Sequence, residues 1–348
     1  MAGRGRFKNQ NCWPAADREA WRRGLSPLSL LDDTGRAAKW RPATISKVGR
    51  AYATYLNWLD LTRQLIDLEQ PEQRFTRVRL DAYCAHLSES VRPTTIRSQL
   101  TDLVRALSVI APKADVSLIR QRLRCYPKTG DRLAKRQRMQ EPEVLLTLGL
   151  DLMADAESRS TPTRRDAVIY RDGLLIAVLA CRALRLRNLT NVDIGRQLTE
   201  KCAQWALLFE ATETKNHRPW MNGWPEVLIP HLNRYLGLYR PMLLNGRFDG
   251  PHLWISERPG PLTDNGIYYA IVTRTKKAFG KPVNPHLFRD AAATSLAVHD
   301  PAHVKIAHHV LVNAYQTMEQ HYNQAHAIEA SANLNTTMRL LRKRSKSR

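Results

Sequence analysis

Nearly everywhere in this chain apolar residues recur at intervals of three and four, and in one place they alternate. In "QWALLFEATETKNHRPWMN" (204–222), Trp205, Leu207 and Phe209 fall on every second residue. A polar turn follows, and a second extended piece leads into "EVLIP". Alternation is the signature of a half-buried strand, whereas spacing of three and four marks an amphipathic helix. A chain that is helical on both sides of one such interruption is expected to be mainly α, with a small β-sheet or hairpin set among its helices.

The helical pattern begins near Thr44. "ISKVGRAYATYLNWLDL" lines up Val48, Tyr52, Tyr55, Leu56 and Leu59. "TRVRLDAYCAHLSES" does the same with Leu80, Tyr83 and Leu87, and "RPTTIRSQLTDLVRALSVIAP" with Ile96, Leu100, Leu103 and Leu107. A short fourth helix over 115–125 completes an N-terminal helical bundle spanning 41–126. Residues 1–40 mix Arg, Gly, Pro and three Trp without a period, and read as an extension. A basic linker occupies 127–140, where Pro127 and Gly130 break the helical pattern. The second domain, 141–335, contains helices over 166–181, 231–240, 264–279, 286–299, 301–311 and 314–330. A basic tail closes the chain at 336–348.

Charge narrows the choice of partner. The 348 residues carry 54 Lys and Arg against 32 Asp and Glu, a net charge of +22. Such an excess favours a polyanion, above all double-stranded DNA. No apolar run approaches the 20 residues of a membrane span. The longest, "GLLIAVLAC" (173–181), reads as a buried helix, and no membrane partner is expected. Five cysteines lie far apart with no CxxC pair, the usage of a reduced, cytoplasmic chain without a zinc site.

Four segments could carry chemistry. In "VNPHLFRDAAATS" (283–295), Asn284 is a good N-cap and Pro285 suits the first helical position. His286 and Arg289 then share a face of the first turn, where the helix dipole is positive. "LIAVLACRALRLRNLTNVDI" (175–194) sets Arg182, Arg185 and Arg187 among leucines that turn inward, so at least one guanidinium lies near the core and needs an anion. "ETKNHRP" (213–219) puts Lys215 at the hairpin tip. "YQTMEQHYNQAHA" (315–327) presents Tyr322 on a polar helix. Taken singly, each has a plain structural counterpart: a capped surface helix, an internal ion pair, a solvated lysine, a packed tyrosine.

Taken in order, the four segments resemble the tyrosine recombinase (phage integrase) family. The matching residues are Arg185 in "ALRLRNL", Lys215 in "TKNHRP", His286 and Arg289 in "HLFRD", and Tyr322 in "EQHYNQA". The likeness covers roughly 45–330 and implies a two-domain architecture, an N-terminal helical core-binding bundle followed by an α+β catalytic domain. It also implies a mechanism. Arg185 and Arg289 grip the scissile phosphate, as planar guanidinium forks do. His286 donates a hydrogen bond to it or shares in proton transfer, and Lys215 protonates the leaving 5′-oxygen. Tyr322 attacks and leaves a 3′-phosphotyrosyl link, with neither metal nor any other cofactor. The family implies a homotetramer on paired sites, accessory DNA-bending or directionality proteins, and action on the nucleoid for a bacterial mobile element.

Two positions depart from the family pattern. Asn313 stands where a histidine or tryptophan is usual, so it can donate a hydrogen bond but cannot carry a proton; His309, with His308 beside it, is the alternative. Asn188 replaces an acidic residue often found after the first arginine. Arg182 and Arg187 compete with Arg185, and Tyr315 with Tyr322. A non-cleaving DNA-binding protein of the same fold therefore remains a second expectation. A metal-dependent nuclease is a third and weaker one, lacking clustered carboxylates. DNA contacts are expected from Arg92, Arg97 and Arg105 on the third helix, and from Arg120, Arg122, Arg124, Lys128, Arg132, Lys135 and Arg136 in the basic stretch. That stretch, 118–140, holds eight cations against one Asp, a density that favours a nearby anion.

Overall fold

A computed structural model describes residues 6–27, 35–201, 204–214, 217–247 and 250–299. The chain divides into two compact units, 1–132 and 133–348.

The first unit contains helices α1 (Ala15–Leu25), α2 (Pro42–Leu61), α3 (Arg77–Ser88), α4 (Pro93–Ile110) and α5 (Ser117–Arg124). Proline begins both α2 and α4, where a missing N–H costs nothing. Thr76 caps α3, its side chain accepting from the Arg79 amide. The periodic residues Val48, Tyr52, Tyr55, Leu56, Leu59, Leu80, Tyr83, Ile96, Leu100, Leu103 and Leu107 are all buried in one core. The expected extension differs from the fold in its described part. Residues 15–25 form α1, with Trp21 and the preceding Trp13 buried in that core. What fastens α1 is largely polar. Asp17 accepts from the Tyr52 hydroxyl at 2.8 Å and pairs with Arg74, and all three side chains are fully buried. A helix attached by one buried ion pair and two indoles has no apolar stripe to read.

The division between the units falls at α6 (Arg132–Arg136), inside the expected linker. The second unit continues with α7 (Pro142–Glu157), α8 (Arg164–Arg182) and α9 (Leu186–Thr190). Thr163 and Asp166 exchange side-chain and backbone hydrogen bonds to cap α8. Leu174 to Leu179, the longest apolar run, lie fully buried along α8. Gly149 of α7 faces Gly173 of α8, and a β-carbon at either position would lie 2.7 Å from the other's carbonyl oxygen. The two backbones touch where neither residue has a side chain.

Strands β1 (Leu198–Lys201), β2 (Gln204–Phe209) and β3 (Trp220–Gly223) form an antiparallel sheet in that order. Leu207 pairs with Leu198 on one side and Asn222 on the other. The alternation of Leu207 and Phe209 turns both inward, whereas β1, "LTEK", offers one apolar residue and no readable period. "EVLIP" is not extended. It begins a helical segment made of α10 (Ile229–Arg234), a π-helical turn at Tyr235–Tyr239 and α11 (Arg240–Leu244). Helices α12 (Asp264–Phe279) and α13 (Pro285–His299) follow, and α13 packs on α7 and α8. The helices expected over 301–311 and 314–330, and the tail, lie outside the described residues.

Candidate active site

The site is built where α8 ends. Ala183 takes the left-handed conformation, φ 43° and ψ 41°, which stops the helix and swings the chain outward. Arg185 follows with extended backbone at the N-cap of α9. Trp254 anchors that short helix from behind, its indole N–H donating to the Leu189 carbonyl at 2.9 Å.

Helix α13 supplies the second part. The Asn284 side chain accepts from the amides of His286 and Leu287, at 3.1 and 3.2 Å, and caps the first turn as its sequence predicts. His286 is exposed at this positive helix end, while Leu287 and Phe288 are buried. Arg289, one turn on, is only 6% exposed, and its guanidinium donates to the carbonyl of Ala183. The cation of α13 thus reaches back to the turn that carries Arg185.

The electrostatics agree with that placement. Burial pushes Arg289's pKa down to about 10, the Arg185 charge adds to the drop, and Asp290 opposes it. Burial also lowers Arg185 from its ordinary value. A guanidinium whose charged form is disfavoured both by burial and by a second cation favours an anion beside it. The competing arginines do otherwise. Arg182 donates to the Gly223 carbonyl at 2.9 Å and so ties α8 to β3, and Arg187 is exposed.

The turn between β2 and β3 leads to Lys215 and is firmly anchored on the near side. Thr214 is buried and bonds to both the amide and the carbonyl of Arg218, at 3.1 and 2.7 Å. Glu213 accepts from the buried Gln197 side-chain amide at 2.6 Å. Lys215 itself lies outside the described residues, as do His308, His309, Asn313, Tyr315 and Tyr322.

The expected DNA contacts divide sharply. Arg92, Arg120, Arg124, Lys128 and Arg136 are exposed. Arg97 is not available in the way expected, because its guanidinium holds the carbonyls of Leu123 and Tyr126, at 2.8 and 2.7 Å, at the end of α5. A helix end leaves carbonyls unpaired, and a long cationic side chain on the neighbouring helix satisfies them. Arg105 pairs with Asp102 at 3.3 Å and Arg122 with Asp81 at 3.3 Å. Lys135 pairs with Asp290, the residue after Arg289, at 2.7 Å. No pattern of period or composition pointed to that contact; the one available signal was an acid directly following a candidate phosphate ligand in a strongly basic chain. Arg132 opens α6.

Among the described residues no cluster of three or more His, Cys, Asp or Glu could hold a metal ion, and no helix is long and apolar enough to cross a membrane. No protein-family profile matches the sequence, and no curated protein matches it. Solved structures do. A post-cleavage complex of the XerH site-specific recombinase with a palindromic difH substrate aligns over 95% of this chain and 97% of its own, with TM-score 0.59 and 12% identity. A pre-cleavage XerH complex aligns over 94% and 96%, with TM-score 0.58 and 14% identity. The chain has the fold of the XerH recombinase.

Proposed function

We propose that the protein is a tyrosine-type site-specific DNA recombinase. The observation that carries this reading is the meeting of Arg289 with the Ala183–Arg185 turn, in a chain whose fold is that of XerH, a recombinase solved on its DNA before and after cleavage. Transfer of a phosphoryl group between hydroxyls depends mainly on positioning and on cationic donors at the non-bridging oxygens. Arg185 and Arg289 supply those donors, with His286 beside them at the helix end. In the step itself the phenol of Tyr322 gives up its proton to His286 or to solvent, its oxygen bonds to phosphorus, and the bond to the 5′-oxygen breaks. Lys215 gives that oxygen its proton. The diester's energy is kept in the phosphotyrosyl link, so religation needs no nucleotide triphosphate. A tetramer on paired sites, serving the integration of a bacterial mobile element, completes the proposal.

The test uses a duplex site recovered by binding selection and nicked close to the cleavage position, so that the released fragment cannot return. The wild-type chain is expected to accumulate a covalent protein–DNA adduct, resistant to denaturant and insensitive to EDTA, and Tyr322→Phe none. Tight binding with no adduct from the wild type would instead establish the second reading, a non-cleaving DNA-binding protein, for which Asn313 is the specific observation.

A further inference from the structure

Lys135 belongs to the basic stretch expected to lie on DNA, yet its ammonium sits 2.7 Å from the Asp290 carboxylate. Asp290 is nearly buried, its side chain 10% exposed, while Lys135 remains 45% exposed. The carboxylate directly follows Arg289, the proposed phosphate ligand, on α13. An acid there is a problem of field. It attracts the guanidinium that should face the phosphate, and it repels the phosphate itself. Asp290 does act on Arg289, working against the effects of burial and of Arg185. Among the four charges Arg185, Arg289, Asp290 and Lys135 the net value is two positive with the lysine and one without it.

We propose that Lys135 is a positioning residue for strand cleavage: its ammonium offsets the Asp290 carboxylate, whose negative field otherwise cancels part of Arg289's at the scissile phosphate. The proposal rests on the cleavage reading above. It assigns Lys135 to the chemistry of the second unit instead of to sequence-independent DNA contact.

The experiment compares full-length wild type, Lys135→Gln, Asp290→Asn, the double variant and Lys135→Arg on the nicked substrate. Single-turnover rate constants, half-site affinities and melting temperatures are measured for each. Lys135→Gln is expected to slow cleavage about tenfold, the equivalent of about 1.4 kcal/mol. The double variant should return to within about twofold of wild type, because the charge that needed offsetting is gone. Lys135→Arg keeps most of the rate. The proposal is overturned if Lys135→Gln cleaves at the wild-type rate, or if the double variant is as slow as the single, which would make Lys135 a direct DNA contact. It is also overturned if only melting temperature and reaction amplitude fall while the rate constant holds, the mark of a purely structural ion pair. Should the wild type form no adduct, the cleavage reading fails separately and the charge relation is read from binding. There Lys135→Gln must weaken half-site affinity by about two- to threefold and Asp290→Asn must restore it; equal affinities would overturn it.

Discussion

Two buried arginines in this protein carry opposite expectations for stability. Arg74 is fully buried with Asp17, the Tyr52 hydroxyl and the Glu69 carbonyl around it. Arg289 is buried with the Ala183 carbonyl, a second arginine and the opposing Asp290 near it, and its charged form is disfavoured until its pKa stands at about 10 against an ordinary 12.5. That drop, the net of burial and Arg185 against Asp290, corresponds to about 3 kcal/mol disfavouring the charged side chain in the DNA-free protein. Replacing Arg289 by Met removes this cost and also one charged hydrogen bond to Ala183, a loss of about 1.5–3 kcal/mol. The two nearly cancel. Arg289→Met should therefore leave the second unit within about 1 kcal/mol of wild type, a change of about 2–4 °C in melting temperature. Arg74→Met strands the Asp17 carboxylate in a core and should cost about 3–5 kcal/mol. For the first unit that is a fall on the order of 10 °C. Differential scanning calorimetry of the full chain, followed with and without a half-site duplex, reads both. DNA should raise the second unit's transition in wild type and raise it far less in Arg289→Met. If Arg289→Met melts as early as Arg74→Met does, Arg289 is an ordinary structural cation, and its place as a phosphate ligand is refuted.

Other outcomes follow from the same structure. Half-site affinity should fall steeply with salt, and Arg120→Ala or Lys128→Ala should each lower the slope of log affinity against log salt by about one. Arg97→Ala should instead lower the stability of the first unit and leave that slope unchanged. Gly149→Ala gains about 1 kcal/mol of intrinsic helix propensity. It should nonetheless destabilise the second unit in urea titration, since its methyl meets the Gly173 carbonyl at 2.7 Å. Hydrogen bonds from Thr163 hold the Asp166 carboxyl below its ordinary value of 3.8. The unfolded chain therefore binds that proton first, and the stabilisation is complete above this pH and lost as pH falls below it. Acid titration of Thr163→Val should show a smaller loss.

Much of the fold was legible because its helices bury continuous apolar stripes. Tyr52, Tyr55, Leu100 and Leu103 stand at helical spacing and are all in the core. Asn284 and Pro285 announce the start of α13 to the residue. What escaped is held by groups with no period. Helix α1 depends on Asp17 meeting an arginine 57 positions away, and β1 on backbone pairing and the single buried Leu198 of a tetrapeptide with no period. In the candidate site, motif order pointed to Arg185 and Arg289, and the structure brings their turn and helix together. It could not indicate that Arg97 closes a helix end or that Lys135 reaches Asp290, because local sequence does not encode which cation finds which acceptor in three dimensions.

The bond from Arg289 to Ala183 joins residues 106 positions apart. Contacts that distant form late, after the intervening sheet and helices have closed the loop. The exposed cations of 118–136, by contrast, need only their local helices. Under the proposed function, a chain partway through folding can therefore hold on to DNA before it owns the pair of arginines assigned to cleavage. On that reading adhesion comes early and the capacity for damage last, and an incomplete molecule is a harmless one.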